Sequence, residues 1–288
     1  MVIGPESEQV RPASGEGFSD AVTVAFGDPA ANVFGFARVG LTPSAGASGL
    51  AVLFADRRPV AAVAQGGQDA GAAPDWAGVE VAGVRVALEA PLERSSAAFA
   101  GEDAGFELAL EAVSPPVEIA PALGLEGYEQ LARVTGHATI GGARRRIDGL
   151  GQRSHAWGVA DWERMALVRN VEAWLAPDDA LGLFAVRPAG AESHDAEELS
   201  AYVIDPEGVH RPAEARLSTT YDEEGRQLRG GVELWGEEDL THRLAGEAMC
   251  GSTLDLGRVR WDCAFFRWRM EGREGFGRYD VLRRADGA

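Results

Sequence analysis

The chain has 288 residues, 45% hydrophobic and 25% charged, a globular balance with enough length for two domains or one large one. Its 45 acids against 27 Lys and Arg give a net charge of −18, a field that repels nucleic acid and anionic membrane, so neither is expected as a partner. Two cysteines make no disulfide framework, and Cys250 and Cys263 are read as reduced core thiols.

Residues 1–17 mix Pro, Glu, Ser and Gly without periodicity and are expected to form a flexible arm. No apolar run follows a basic start there, and no later window approaches the roughly 20 apolar residues of a membrane helix, so the expected location is cytoplasmic. From Phe18 the chain changes character. Apolar runs at 22–26, 33–39 and 50–54 are closed by Gly, Pro, Asp or Asn, and 79–86 and 106–111 alternate with period two, which predicts half-buried strands. Residues 65–75 read as a loop, and the three prolines of 114–125 as a loop or a crossing segment. Gly141-Gly142 suits a two-residue hairpin turn, because both positions tolerate positive φ. The basic run Arg144-Arg145-Arg146 beside it is read as a solvated strand edge.

The second half repeats the pattern. Strands are predicted at 167–174, 181–186 and 199–204, with turns at Asp205-Pro206-Glu207-Gly208 and Asp222-Glu223-Glu224-Gly225. Val259, Trp261, Cys263 and Phe265 share one parity and Phe266, Trp268 and Met270 the other, so a bulge at Phe265-Phe266 is expected to restore one inward face. No capped amphipathic helix of any length is found, which leaves an all-β chain of barrels or sandwiches.

The densest chemistry lies at 149–163, GLGQRSHAWGVADWE. If 152–158 is extended, Arg153, His155 and Trp157 share one face of the sheet. A cation, a titratable imidazole and a large aromatic then line one wall, able to anchor an oxygen, move a proton and stack on an apolar ligand. The same pattern also fits a buried core strand whose polar atoms are satisfied by backbone.

Gly149, Gly151, Arg153, His155-Ala156-Trp157-Gly158 and Asp161-Trp162 resemble the signature block of the two-domain lipocalin-like proteins, which include AttH-like proteins and carotenoid 1,2-hydratases (the hydroxyneurosporene synthase family). Tyr128-Glu129-Gln130, Gly136, Gly141-Gly142, Gly275-Phe276-Gly277-Arg278-Tyr279 and Arg283-Arg284 are also similar to that family. The resemblance implies two consecutive lipocalin-like antiparallel β-barrels, at 18–160 and 161–288, with a hydrophobic pocket at or near their junction. It also implies a downstream Tyr-x-Asp partner for the His-x-Trp pair, yet Leu181-Gly182-Leu183-Phe184-Ala185 stands in the matching stretch. That departure puts water addition specifically in question and leaves cyclisation, isomerisation or pericyclic acceleration as the alternatives.

No metal motif, nucleophile elbow, phosphate loop or dinucleotide fingerprint occurs, so neither metal nor other cofactor is expected. The expected function is an enzyme acting on an isoprenoid- or polyketide-type apolar small molecule. His155 and Asp161 are the catalytic candidates, and Arg153, Trp157 and Trp162 the substrate-binding ones. A non-catalytic carrier for an apolar small molecule is the alternative.

Overall fold

The structure, a computed structural model, describes residues 3–12, 15–42, 46–69, 75–122, 124–191, 193–237 and 239–285. Of the stretch 65–75 read as a loop, residues 65–68 are strand and residues 70–74 lie outside the described residues. The chain divides into two compact units, Met1–Ala160 and Asp161–Ala288. Each is a curled antiparallel sheet of barrel-like shape, as the all-β reading expects.

The first unit contains β1 (Phe18–Asp28), β2 (Val33–Thr42), β3 (Gly46–Ala55), β4 (Arg58–Gln68), β5 (Glu80–Val81), β6 (Val84–Ala90), β7 (Arg94–Ala100), β8 (Ala104–Ala112), β9 (Val117–Ala122), β10 (Leu125–Ile140) and β11 (Ala143–Val159). Its sheet runs β4-β3-β2-β1-β11-β10-β8-β7-β6-β5, with β9, from the proline-rich stretch, pairing with β10. Period-two patterning decides which side faces in. On β8, Phe106, Leu108 and Leu110 are buried while Glu107, Ala109 and Glu111 are exposed. Each such side chain removed from water contributes roughly 1.5–3 kcal/mol. They join Val22, Val24, Phe26, Val134 and Trp76 in the interior core.

Two local features place the strand that matters. Gly141 and Gly142, at φ 56° and 80°, form the expected turn, and the β10–β11 ladder runs without a slip from Ile140 opposite Ala143 up to Leu125 opposite Gly158. Gly151 lets β11 press against β1: a Cβ there would stand 2.3 Å from the Ala25 carbonyl oxygen. The basic run is spent on neighbours, with Arg145 gripping Asp56 at 3.0 and 2.7 Å and Arg144 2.9 Å from His137.

The second unit contains β12 (Met165–Ala176), β13 (Asp179–Pro188), β14 (Glu198–Asp205), β15 (Gly208–His210), β16 (Glu214–Tyr221), β17 (Gln227–Trp235), β18 (Leu240–Asp255), β19 (Val259–Met270) and β20 (Arg273–Arg284), in the order β15-β14-β13-β12-β20-β19-β18-β17-β16. The expected bulge lies on the facing strand instead. β19 runs straight through Phe265-Phe266, and β18 shifts register between Ala248 and Cys250. Ala264, Phe266, Trp268 and Met270 enter the core cluster, while Trp261, Cys263 and Phe265 are buried on the opposite face, so β19 needs no single inward side. Both cysteines are free and buried, and burial pushes the Cys263 thiol up to about 12, leaving it inert. No helix among the described residues is long and apolar enough to cross a membrane.

Candidate functional site

β11 presents Arg153, His155 and Trp157 on one face, all three buried, while Ser154, Ala156 and Gly158 take the other and are half-buried. The face points into the first barrel. His155 stands opposite Val22 and Arg153 opposite Val24, both residues of the interior core. On the other flank, β10 sets Tyr128 opposite His155 and Gln130 opposite Arg153. Directly opposed side chains of an antiparallel pair touch, so these residues share one end of the barrel interior.

His155 is 1% exposed, with Nε2 2.7 Å from Asp20 Oδ1. Asp20 sits on β1 opposite Trp157, one inward step from Val22, which brings its carboxylate diagonally to the imidazole. Its second oxygen, Oδ2, accepts the Arg11 backbone N–H at 2.6 Å. The carboxylate therefore holds the proton on Nε2 and leaves Nδ1 as the ring's free position. Nδ1 is buried and has no hydrogen-bond partner among the described residues. Three aromatic rings surround the imidazole edge-on, with Trp157, Trp76 and Tyr128 centroids at 4.9, 5.4 and 5.9 Å. The imidazole is thus packed dry among aromatic rings.

Arg153 is held by Glu8, whose two carboxylate oxygens each accept from the guanidinium. Tyr128 donates to Glu8 Oε1 at 2.5 Å, and Arg153 Nη2 also reaches the Tyr128 oxygen at 3.2 Å and Gln130 Oε1 at 3.4 Å. Burial raises the Glu8 carboxyl, but the hydrogen bond and charge of Arg153 outweigh it and leave the group below its ordinary value. Burial and the Glu8 carboxylate keep the Tyr128 phenol protonated well above its usual range, against the opposing pull of Arg153.

The flexible-arm reading therefore does not hold for residues 3–12. Pro5–Glu8 form a 3-10 turn, Glu8 is 4% exposed, and its backbone carbonyl accepts Trp76 Nε1–H at 3.1 Å. Arg11 lays its guanidinium 4.1 Å above the Trp157 ring, and Ile3 packs on the Phe18, Tyr128 and Trp157 cluster. A polar segment is tied down here by specific bonds to buried partners, which composition does not reveal.

Asp161 and Trp162 follow the end of β11 at Val159. Both belong to the second unit and are half-buried, and the Asp161 side chain and carbonyl both accept the Arg164 N–H, closing a turn. Glu8, Asp20, Trp76 and Tyr128 are the residues that sequence reasoning missed. For Tyr128 a signal existed: equal steps back from the Gly141-Gly142 turn put it opposite His155. The second unit repeats the buried ion pair without a buried histidine dyad. Arg169 on β12 pairs with Glu197 and donates to Thr219 at 2.8 Å and to the Leu217 carbonyl at 3.2 Å; the histidine that meets this carboxylate, His194 with Nδ1 2.5 Å from Glu197 Oε1, is exposed rather than buried. Among the described residues no cluster of three or more His, Cys, Asp or Glu is placed to hold a metal.

Two curled antiparallel sheets of barrel-like shape, the first closing over an Asp-anchored histidine, make this an all-β two-barrel protein. The chain belongs to the family described as Domain of unknown function (DUF7064), whose model matches residues 4–285. Comparison with curated protein sequences returned no match. Among solved structures it is similar to a putative AttH from Nitrosomonas europaea, with a TM-score of 0.70 and 14% identity over 93% of this chain and 92% of that one. It is also similar to kievitone hydratase from Nectria haematococca, with a TM-score of 0.67 and 11% identity over 98% and 93%. CghA, solved with Sch210972, gives a TM-score of 0.64 and 12% identity over 94% and 89%. These likenesses establish the fold that the signature block resembles.

The Glu8 clamp has a pH dependence of definite sign. Its folded carboxyl lies below the unfolded value, so the anchoring is fully present above the ordinary glutamate range, about 4.3, and is lost as pH falls through the lower folded value. The protection factor of the Arg11 amide, its exchange relative to the intrinsic rate at each pH, is expected to fall below that range and to stay level between pH 6 and 8. In Glu8→Gln the acid-dependent step should disappear; its persistence would assign the effect to another carboxylate.

Proposed function

We propose that the chain is an enzyme that acts on an apolar small molecule in the first barrel, with His155 giving or taking a proton at Nδ1. The observation that carries this reading is the unpartnered Nδ1 of a buried histidine whose other nitrogen is fixed by Asp20. A structural histidine in a core normally has both nitrogens satisfied, because a buried unpaired polar atom costs about 1–3 kcal/mol. Here that cost leaves a proton-transfer position facing a wall of aromatics. Protonation of an alkene, or deprotonation beside a carbonyl, needs such a group, and Trp157, Trp76 and Tyr128 can stabilise positive charge developing on carbon. Cyclisation, isomerisation and hydration all begin this way, without a required nucleotide or metal. The fold shared with kievitone hydratase, and with CghA in its Sch210972-bound form, supports small-molecule chemistry in this scaffold. Isoprenoid- and polyketide-type skeletons are the substrate class that the aromatic wall suits.

Two variants test the reading by separating binding from chemistry. Trp157→Ala removes a stacking face and is expected to weaken ligand affinity by roughly 1–3 kcal/mol. His155→Gln keeps bulk and polarity while removing titration, so it should spare affinity and lower turnover by about 10²- to 10⁴-fold. Equal turnover of His155→Gln and wild type would exclude proton transfer at His155 and leave the carrier reading in its place.

A further inference from the structure

The end of the barrel where His155 stands is closed by the chain's own carboxylate. Glu8 offers both oxygens to Arg153 and one to the Tyr128 hydroxyl, and Arg153 also touches Gln130. A planar guanidinium fork with a phenol beside it is shaped for a carboxylate, not for a point charge. The segment carrying Glu8 has its other holds on the same site: Arg11 N–H on Asp20, the Arg11 cation over Trp157, and Ile3 against Phe18, Tyr128 and Trp157. Beside Arg153, Gln130 and Leu92 the remaining space is about 10 Å³, room for a single water at most. Residues 3–12 therefore occupy the space against Trp157, Tyr128 and Arg153 that an apolar ligand anchored there would take.

Displacing that segment has a chemical condition. Arg153 is 4% exposed, and removing Glu8 without replacement strands a buried guanidinium. A neutral ligand imposes that penalty; an acid supplies a carboxylate in exchange and avoids it. We propose that Glu8 holds the place of a ligand carboxylate: the substrate is an apolar small molecule bearing one carboxylate, which takes over Arg153 and Tyr128 while its body replaces residues 3–12 against Trp157 and Phe18. The functional meaning rests on the proposed chemistry at His155, whereas the anchoring stands on Arg153 alone.

The test uses the full chain and two probes of equal length, decanoate and decanol, followed by calorimetry at pH 7. Decanoate is expected to bind wild type and to bind Glu8→Gln about tenfold more tightly or better, because the competing carboxylate is gone. Decanol should bind more weakly and gain less than decanoate from Glu8→Gln. The double variant Glu8→Gln/Arg153→Gln should lose the preference for decanoate. In wild type, independently of how any variant folds, decanoate is expected to accelerate hydrogen exchange at the Arg11 amide. Equal binding of the two probes, no tightening in a folded Glu8→Gln, or an Arg11 amide unmoved by decanoate up to its solubility limit would each overturn the proposal. None of these readings involves turnover. A chain that binds decanoate as expected but keeps full activity as His155→Gln would sink proton transfer alone, and the opposite pattern would sink the acid anchor alone.

Discussion

Asp20→Asn is expected to cut turnover by on the order of 10⁴-fold while leaving the fold and the ligand in place, the loss typical of a dyad whose imidazole is forced into the wrong tautomer. The geometry dictates the direction. Asp20 Oδ2 already accepts the Arg11 backbone N–H at 2.6 Å, and Oδ1 faces His155 Nε2 at 2.7 Å. An asparagine must keep its oxygen on the Arg11 N–H, since its NH₂ there would meet another donor. The NH₂ then faces Nε2 and requires a lone pair on it, which drives the ring proton to Nδ1. A neutral imidazole protonated at Nδ1 can no longer accept a proton there and is a far weaker acid than the imidazolium. Nitrogen-15 shifts of the His155 ring check this without a substrate: wild type should show the proton on Nε2 and Asp20→Asn on Nδ1. An unchanged tautomer would mean that the amide has turned and that Arg11 does not fix the carboxylate.

Much of this site was written in the sequence as periodicity. Alternation over 152–158 suffices to place Arg153, His155 and Trp157 on one face, and the structure buries all three there. The hairpin glycines fix the β10–β11 register, which would have delivered Tyr128 and Gln130 by counting alone. Asp20 and Glu8 were not legible in the same way. They stand 135 and 145 residues from the groups they bind, and such distant pairing depends on how the sheet closes, which no local pattern encodes. Glu8 was hidden further by a polar, aperiodic neighbourhood. Asp161 is a different case. Its place in the signature block suggested chemistry, but β11 ends at Val159, and past that end alternation no longer says where a side chain points. Gly151 in the same block answers to backbone contact with β1, so the block mixes positions that shape the barrel with positions that can act on a ligand.

Arg153→Leu is expected to destabilise the first unit by about 3–5 kcal/mol, the usual effect of removing one partner from a buried ion pair. For a unit of this size that corresponds to a fall of roughly 6–20 °C in its melting temperature. The loss comes from the partner left behind. Glu8, 4% exposed, would keep Tyr128 as its remaining hydrogen-bond donor among those described and must either take up a proton or leave the barrel. The second variant in the cycle decides between a penalty on Glu8 and a loss of packing by the arginine stem. If the stranded carboxylate is the cause, Glu8→Gln/Arg153→Leu should recover most of the stability, because both charges are gone and an amide tolerates the site. If the stem's packing is the cause, the double variant should melt as low as Arg153→Leu alone. A third result is also readable. If Arg153→Leu is stable yet shows fast exchange at the Arg11 amide, Glu8 has left for solvent and the ion pair was fastening residues 3–12 to the barrel without supporting the barrel itself.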